Sequence, residues 1–295
     1  SISNTFGASY DNVLCYERIY ENLDKEQLLN LIKDAKENEW TSLDLSNCGL
    51  KELPDELWDL QSLKVLYLGN RTRNGECFNA NTYNEISERI SCLTNLEALS
   101  FCNVSNLRIP KSIKKLPQLT YLDCFGCHFT NISDSLLNRN IKAIGIECFD
   151  TDCLAKICKL SKLEELFLTG SELKTLPIEI GNLKLLKKIH LVDSKIEVIP
   201  ESLLNLSCLK CFNINGTPLA NNIPKEMISQ PAFDLISFIC KQQKQQETYY
   251  FNESKMIIVG QGNVGKSCLL DRIMYNTYIE KKSTLGINVK RWRYN

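Results

Sequence analysis

Apolar positions return along this chain with a long and nearly constant period. The pattern apolar-x-x-apolar-x-apolar begins at Trp40, Leu63, Leu96, Leu119, Ile141, Leu163, Leu186 and Leu209, at spacings of 23, 33, 23, 22, 22, 23 and 23 residues. A recurrence of about 20 to 50 residues marks stacked units, none of which can bury its own apolar face. Within a unit the residues three and five places after the start alternate with mostly polar ones. That alternation predicts a short strand whose +3 and +5 side chains enter a core, while +2, +4 and +6 face solvent on the concave side. The best copies run on to Leu50 and Leu53-Pro54, to Leu173 and Leu176-Pro177, and to Ile196 and Ile199-Pro200. The fold class this predicts is an α/β solenoid of eight coils, with a parallel β-sheet on its concave face and stability summed over neighbouring interfaces.

The pattern resembles the leucine-rich repeat family of the intracellular type, over roughly residues 40 to 231. At offset +8, where that family commonly has Asn, the chain has Cys48, Arg71, Val104, Cys127, Phe149, Ser171, Ser194 and Thr217. Cys, Ser and Thr suit hydrogen bonds to turn backbone there. Arg71, Val104 and Phe149 depart from the pattern, and irregular coils are expected at those three. The second coil is ten residues longer than its neighbours, through Arg71-Thr72-Arg73-Asn74-Gly75 to Thr82, and reads as a surface insertion.

A solenoid must close both ends, because a terminal coil otherwise exposes its apolar edge. Asp24 followed by Gln27 reads as a capping box. Leu28, Leu29, Ile32 and Ala35 then follow at helical spacing, predicting a cap helix over residues 24 to 38. After Pro231, the residues Phe233, Leu235, Ile236, Phe238 and Ile239 predict a second cap helix running into Lys241-Gln242-Gln243-Lys244-Gln245-Gln246-Glu247, a polar stretch read as a hinge. The expected organisation is 1–39 N-terminal segment and cap, 40–231 repeats, 232–254 cap helix and linker, and 255–295 a separate C-terminal segment.

That last segment carries the clearest chemistry. Gly260-x-x-x-x-Gly265-Lys266-Ser267 is the phosphate-binding P-loop pattern. It lies between an apolar run, Met256 to Val259, and a helical face of Leu269, Leu270, Ile273 and Met274, the strand–loop–helix context the mechanism needs. Glycines at 260, 262 and 265 let the backbone approach phosphate closely. Amides from Asn263, Val264, Gly265, Lys266, Ser267 and Cys268 would form an anion nest at a helix N-terminus. Lys266 would reach the β- and γ-phosphates, and the Ser267 hydroxyl would ligate Mg²⁺. Seventeen residues after Ser267, Thr284-Leu285-Gly286 resembles the first switch of Ras-like GTPases, whose Thr closes on Mg²⁺ and the γ-phosphate; this points to GTP and GDP rather than ATP.

Repeats followed by a Ras-like segment resemble the Roco family, in which a GTPase-like module called Roc precedes a dimerising module called COR. The resemblance covers about residues 24 to 295. It implies GTP/GDP and Mg²⁺ as ligands, protein partners on the repeats, GTP hydrolysis in the full-length protein, and homodimerisation through COR, which this chain does not include. The chain stops about forty residues into the Ras-like module, before any Asp-x-x-Gly or guanine-reading motif, and GTP hydrolysis by these residues alone is not expected. A sequence cut short, a chosen boundary and a naturally truncated protein all fit. One helix and two strands cannot cover a parallel sheet, so residues 255–295 alone are expected to be marginally ordered.

The concave offsets collect Asp44, Tyr67, Tyr121, Asp123, Phe125, Glu147, Glu165, Phe167, Lys188 and His190. Aromatics flanked by charges are what a protein-binding surface uses as anchors and rim, and Tyr67, Tyr121, Phe125, Glu165, Phe167, Lys188 and His190 are the expected partner contacts. Thirty-five basic and 35 acidic residues cancel, giving no general pull toward nucleic acid or anionic membrane. No apolar run reaches the roughly 18 residues of a membrane span, and the start lacks a secretory pattern, so a cytoplasmic protein is expected. The 14 cysteines lie within apolar periodic segments and read as reduced interior thiols, including the Cys124/Cys127 and Cys208/Cys211 pairs. With two histidines, His128 and His190, no nucleophile–base arrangement emerges, and the catalytic residues stay unknown. The alternatives are an interaction scaffold without a working nucleotide site and an ATP-dependent P-loop protein with repeats attached.

Overall fold

The computed structural model describes residues 22–70, 79–127, 140–148, 150–248 and 266–275. Eight short strands, β1 (Ser42–Asp44), β2 (Val65–Tyr67), β3 (Ala98–Ser100), β4 (Tyr121–Cys124), β5 (Ala143–Ile146), β6 (Glu165–Phe167), β7 (Lys188–His190) and β8 (Cys211–Asn213), form one sheet in chain order. Every pairing is parallel. The register puts Ser42, Val65, Ala98, Tyr121, Ala143, Glu165, Lys188 and Cys211 in one row, each two places after its unit's first apolar residue. The chain folds as the leucine-rich-repeat solenoid its period predicts. It divides into two compact units between Gln245 and Gln246.

In the first unit the +3 and +5 side chains, such as Leu43 and Leu45 or Leu166 and Leu168, are buried in one core that runs from Leu28 to Cys240. On the convex side Pro54, Pro110, Pro177 and Pro200 each precede a five-residue 3₁₀ turn. A proline costs nothing there, because its missing N–H would have no partner at the start of a turn and its φ is already suitable. Ser87 takes the same place in coil 2, its hydroxyl accepting from the Arg89 amide at 3.2 Å. After strand β5 the convex segment is instead an α-helix.

The turn that leaves each strand depends on a left-handed residue at offset +7. Asn47, Asn103, Gly126, Gly170, Asp193 and Gly216 stand there with φ between 56° and 73°, the region that Gly, Asn and Asp enter at least cost. Coil 2 has Asn70 at that offset and coil 5 has Cys148, and these are the two coils whose turns depart from the rest.

At offset +8 the structure corrects the sequence reading in coil 2. The buried turn residue is Asn81, not Arg71, because the ten extra residues enter between Asn70 and the turn. Asn81 Nδ2 donates to Leu45 O at 2.8 Å and Leu68 O at 2.9 Å, and Oδ1 accepts from the amides of Cys48 at 3.2 Å and Leu50 at 2.9 Å. One carboxamide thereby joins coils 1 and 2. Cys127, Ser171 and Thr217 meet the expectation for their types: Cys127 Sγ donates to Phe101 O, Ser171 Oγ accepts from the Cys148 amide, and Thr217 Oγ1 donates to Ile214 O. The Ser194 hydroxyl is buried without a hydrogen bond, and Val104 is simply apolar core. In coil 5 the buried side chain at this turn is Cys148; Phe149 lies outside the described residues.

Helix α1 (Lys25–Glu37) starts on the expected capping box, with Asp24 Oδ1 accepting from the Gln27 amide at 2.8 Å and Gln27 Oε1 from the Asp24 amide at 3.0 Å. Leu28, Leu31, Ile32 and Ala35 cover the first coil, so Leu31 takes the buried place expected of Leu29. Helix α2 (Thr151–Ile157) is the convex segment of coil 5, and α3 (Lys225–Ile228) is one turn. Helix α4 (Ala232–Thr248) buries Leu235, Ile236, Ile239 and Cys240 but leaves Phe233 exposed. The polar stretch 241–247 is no break: α4 continues through it, as a run of Lys, Gln and Glu without Gly or Pro favours. Gln243 holds this end down, Oε1 accepting from the Ile199 amide at 3.1 Å and Nε2 donating to Ile199 O at 2.9 Å, beside a Lys244–Glu201 ion pair. In the second unit the described element is α5 (Lys266–Tyr275). Among the described residues, no helix is long and apolar enough to cross a membrane.

Candidate functional site

The concave face is built from the +2 and +4 rows. Parallel register places Glu165 beside Lys188 and Phe167 beside His190. Both pairs are engaged: Lys188 Nζ lies 2.8 Å from Glu165 Oε1, and the two rings stack at 4.7 Å between centroids with 15° between planes. Burial lowers the His190 pKa below its usual value, Glu165 opposing and Lys188 adding to the effect, so His190 is neutral at physiological pH.

Farther along the row, Val65, Ala98 and Tyr121 pack into a small cluster with Tyr67 and Ala143. Phe125, half-buried, reaches over coil 5 to lie against Gly170 of coil 6. The aromatics are therefore less open than their offsets suggest. Tyr121 is 8% exposed and Phe167 3%, because strands about 4.8 Å apart bring concave side chains onto one another. What a partner would meet is a closely packed ring surface edged by the Glu165–Lys188 pair.

One carboxylate sits within that surface. Asp123, 9% exposed, accepts from Ser100 Oγ at 3.0 Å and from the Phe125 amide at 3.2 Å. Burial pushes its pKa up to about 6 in spite of those two hydrogen bonds, which act to lower it. Ser100 escaped the sequence reading, although it occupies Asp123's own offset in the neighbouring coil and the register pairs the two.

Cys124 and Cys127 are buried as expected of interior thiols, whereas Cys208 is not. Cys124 Sγ donates to Gly145 O at 3.3 Å and Cys127 Sγ to Phe101 O at 3.1 Å. Burial raises both thiols, Cys127 up to about 12. Cys208 is exposed and Cys211 half-buried. Among the described residues no group of His, Cys, Asp and Glu is placed to hold a metal ion.

At the C-terminal segment, α5 is described over Lys266–Tyr275, in the stretch where the loop pattern calls for a helix. Lys266 and Cys268 are half-buried, Asp271 is buried, and Leu269 is exposed rather than facing a core. The stretch 256–259 expected to form a strand, Gly260, Gly262, Asn263, Val264, Gly265 and Thr284 lie outside the described residues, as do Arg71 and His128.

Residues 255–295 match the family model described as Ras of Complex, Roc, domain of DAPkinase. An Arabidopsis thaliana protein described as a probable disease resistance protein is 31% identical over 157 residues, 51% of this chain and 19% of its own length. The disease resistance protein UNI of the same plant is 32% identical over 145 residues, 47% of this chain and 15% of its own. The chain thus spans less than a fifth of the length of these relatives. Among solved structures it is similar to a leucine-rich-repeat protein of Leptospira interrogans, 22% identical with a TM-score of 0.40, covering 66% of this chain and 65% of that one. It is also similar to an internalin, InlF, of Listeria monocytogenes, 21% identical with a TM-score of 0.48, covering 66% and 51%. The chain joins a leucine-rich-repeat solenoid to a segment similar to the Roc domain.

Proposed function

We propose that this chain is the N-terminal part of a cytoplasmic Roco-type signalling protein, in which the repeats recruit protein partners and the C-terminal segment begins a GTP-binding module. The observation that carries this reading is the Roc match over 255–295, supported by a helix over Lys266–Tyr275 in the phosphate-loop context. The residues fit a phosphate: the Lys266 ammonium, on a helix that follows the glycines of the loop pattern, is chemistry suited to a polyanion. The backbone from 263 to 268 would hold the phosphates, Lys266 would pair with the β- and γ-phosphates, and Ser267 and Thr284 would ligate Mg²⁺. Bound GTP would supply the γ-phosphoryl group, and the Thr284 segment would be held while that group is present and released without it. Dimerisation belongs to a COR module beyond this chain.

Titration calorimetry on a chain extended through the rest of the Roc module tests the reading. Mg·GTP and Mg·GDP should bind, and Lys266→Ala should abolish binding while leaving the melting of the repeats unchanged. No heat signal with either nucleotide would overturn it. A second reading, an interaction scaffold without a working nucleotide site, is supported by the eight-stranded concave sheet with its stacked ring and ion pair. It predicts that Lys266→Ala changes nothing.

A further inference from the structure

The buried thiols of the solenoid are not all engaged alike. Cys124 and Cys127 are each held by a backbone carbonyl. Cys148 and Cys153 meet each other instead, their sulfurs 3.5 Å apart in a shared hydrogen bond. Both belong to coil 5, the unit whose convex segment is α2. Cys148 closes the turn that leaves β5, and Cys153 is the third residue of α2, its amide donating to the Asp150 cap at 2.6 Å. Cys148 is 0% exposed and Cys153 8%. One sulfur is sealed in the core, and the other stands at its rim.

We propose that Cys148 and Cys153 form a dithiol site that a peroxide oxidises to a disulfide, with Cys153 the attacking sulfur and Cys148 the resolving one. Starting from a 3.5 Å contact, the sulfurs must approach by about 1.5 Å to reach bonding distance. In the first step the Cys153 thiolate attacks one peroxide oxygen and the O–O bond breaks. The departing hydroxide takes up the proton Cys153 released and leaves as water, with Cys153 now a sulfenic acid. In the second step the Cys148 sulfur attacks the Cys153 sulfur, the S–O bond breaks, and the hydroxyl leaves with the Cys148 proton as a second water. Two thiols lose two electrons in all, and one peroxide becomes two waters.

The surroundings favour this division of labour. The hydrogen bond with Cys148 holds the Cys153 thiol below its ordinary value, Lys156 adding and burial and Asp150 opposing. That same bond, and burial, push Cys148 up, and Cys153 is the sulfur that solvent reaches while Cys148 is sealed. The bond ties the end of β5 to α2 within a coil that has Cys148 at the turn offset and an α-helix as its convex segment.

Lys142 and Lys156 bound a tryptic peptide, residues 143–156, that carries these two cysteines and no others. The folded chain is exposed to hydrogen peroxide, blocked with N-ethylmaleimide in denaturant, digested and weighed. The expected product is an unalkylated peptide lighter by two hydrogen atoms, which becomes doubly alkylated once a reductant is applied before blocking. A doubly alkylated peptide at a dose that already oxidises the exposed Cys92 and Cys208 overturns the proposal, as does sulfinic acid on Cys153 beside an alkylated Cys148. In Cys148→Ser the same dose should drive Cys153 on to the sulfinic acid, and an unmodified Cys153 there overturns its role as the attacking sulfur. The wild-type measurement decides the proposal should this variant not fold.

Discussion

Asn70 and Asn81 clasp each other across the ten residues between them: the Asn81 amide donates to Asn70 Oδ1 at 2.7 Å, and Asn70 Nδ2 donates to Asn81 O at 3.0 Å. Asn70 Nδ2 also reaches Asn103 O at 3.0 Å, so the clasp extends into coil 3. Coil 2 can therefore open for an insertion and still present the next coil with an intact edge.

Asn81 is the more exacting member of the pair. Its carboxamide serves two carbonyls and two amides that are otherwise buried. Each buried polar group left without a partner costs about 1–3 kcal/mol, so Asn81→Ala should destabilise the solenoid by about 3–5 kcal/mol. Urea unfolding checks this, and a loss under about 1 kcal/mol would show that water takes over the role. Deleting residues 71–80, by contrast, should leave a folded chain. It restores the spacing of coil 1, with Asn70 taking the left-handed conformation of Asn47, φ 57°, which Asn tolerates.

Gly69 is fixed by a neighbour rather than by its own φ. A Cβ there would stand 2.5 Å from both the amide nitrogen and the carbonyl oxygen of Cys102. Backbone that is itself bonded into the next coil, through Asn70 N to Cys102 O at 2.6 Å, has little room to yield. Gly69→Ala should cost about 2 kcal/mol or more by overpacking, seen as a lowered melting temperature. An unchanged melt would mean that coils 2 and 3 can part locally at no cost.

The period was legible because the inward offsets are so consistently apolar, as at Leu43 and Leu45, that a 23-residue recurrence survives variation elsewhere. The +8 assignment failed at Arg71 because counting onward from the strand assumes nothing is inserted before the turn. A signal was present: Tyr83 and Ile86 follow Asn81 at the intervals by which Leu50 and Leu53 follow Cys48. The burial of Tyr121 and Phe167 was not legible in either residue's own segment, since it arises from neighbours 22 or more positions away whose contact depends on register. At the loop pattern the expected helix is present over Lys266–Tyr275.

Gln243 grips the peptide of Ile199 with both ends of its amide. At about 1 kcal/mol per hydrogen bond, Gln243→Ala should weaken the docking of the C-terminal half of α4 by about 1–2 kcal/mol while sparing the global melt. The sensitive observable is hydrogen exchange at the Ile199 amide, which should quicken about tenfold for the same 1–2 kcal/mol. Unaltered exchange would assign the docking to Leu235, Ile236 and Ile239 alone.

Asp123 makes stability depend on pH in an unusual direction. Its folded-state pKa, about 6, lies above the ordinary carboxylate value of 3.8, so between those values the folded chain binds the proton more tightly than the unfolded one. The sign follows from linkage: this group's contribution is most favourable below about pH 4, declines as pH rises to about 6, and is a constant cost above that. A shift of about two units corresponds to a cost on the order of 3 kcal/mol at neutral pH. Asp123→Asn keeps the shape and can still accept from the Phe125 amide and bond Ser100. It should raise the melting temperature at pH 7.5, with the gain falling to about a third by pH 4.5 and to near zero by about pH 3.5. Taking the difference between the two chains removes every other titrating group they share. A gain that is flat across the range would mean that the Asp123 carboxylate is as well solvated in the folded state as in the unfolded one.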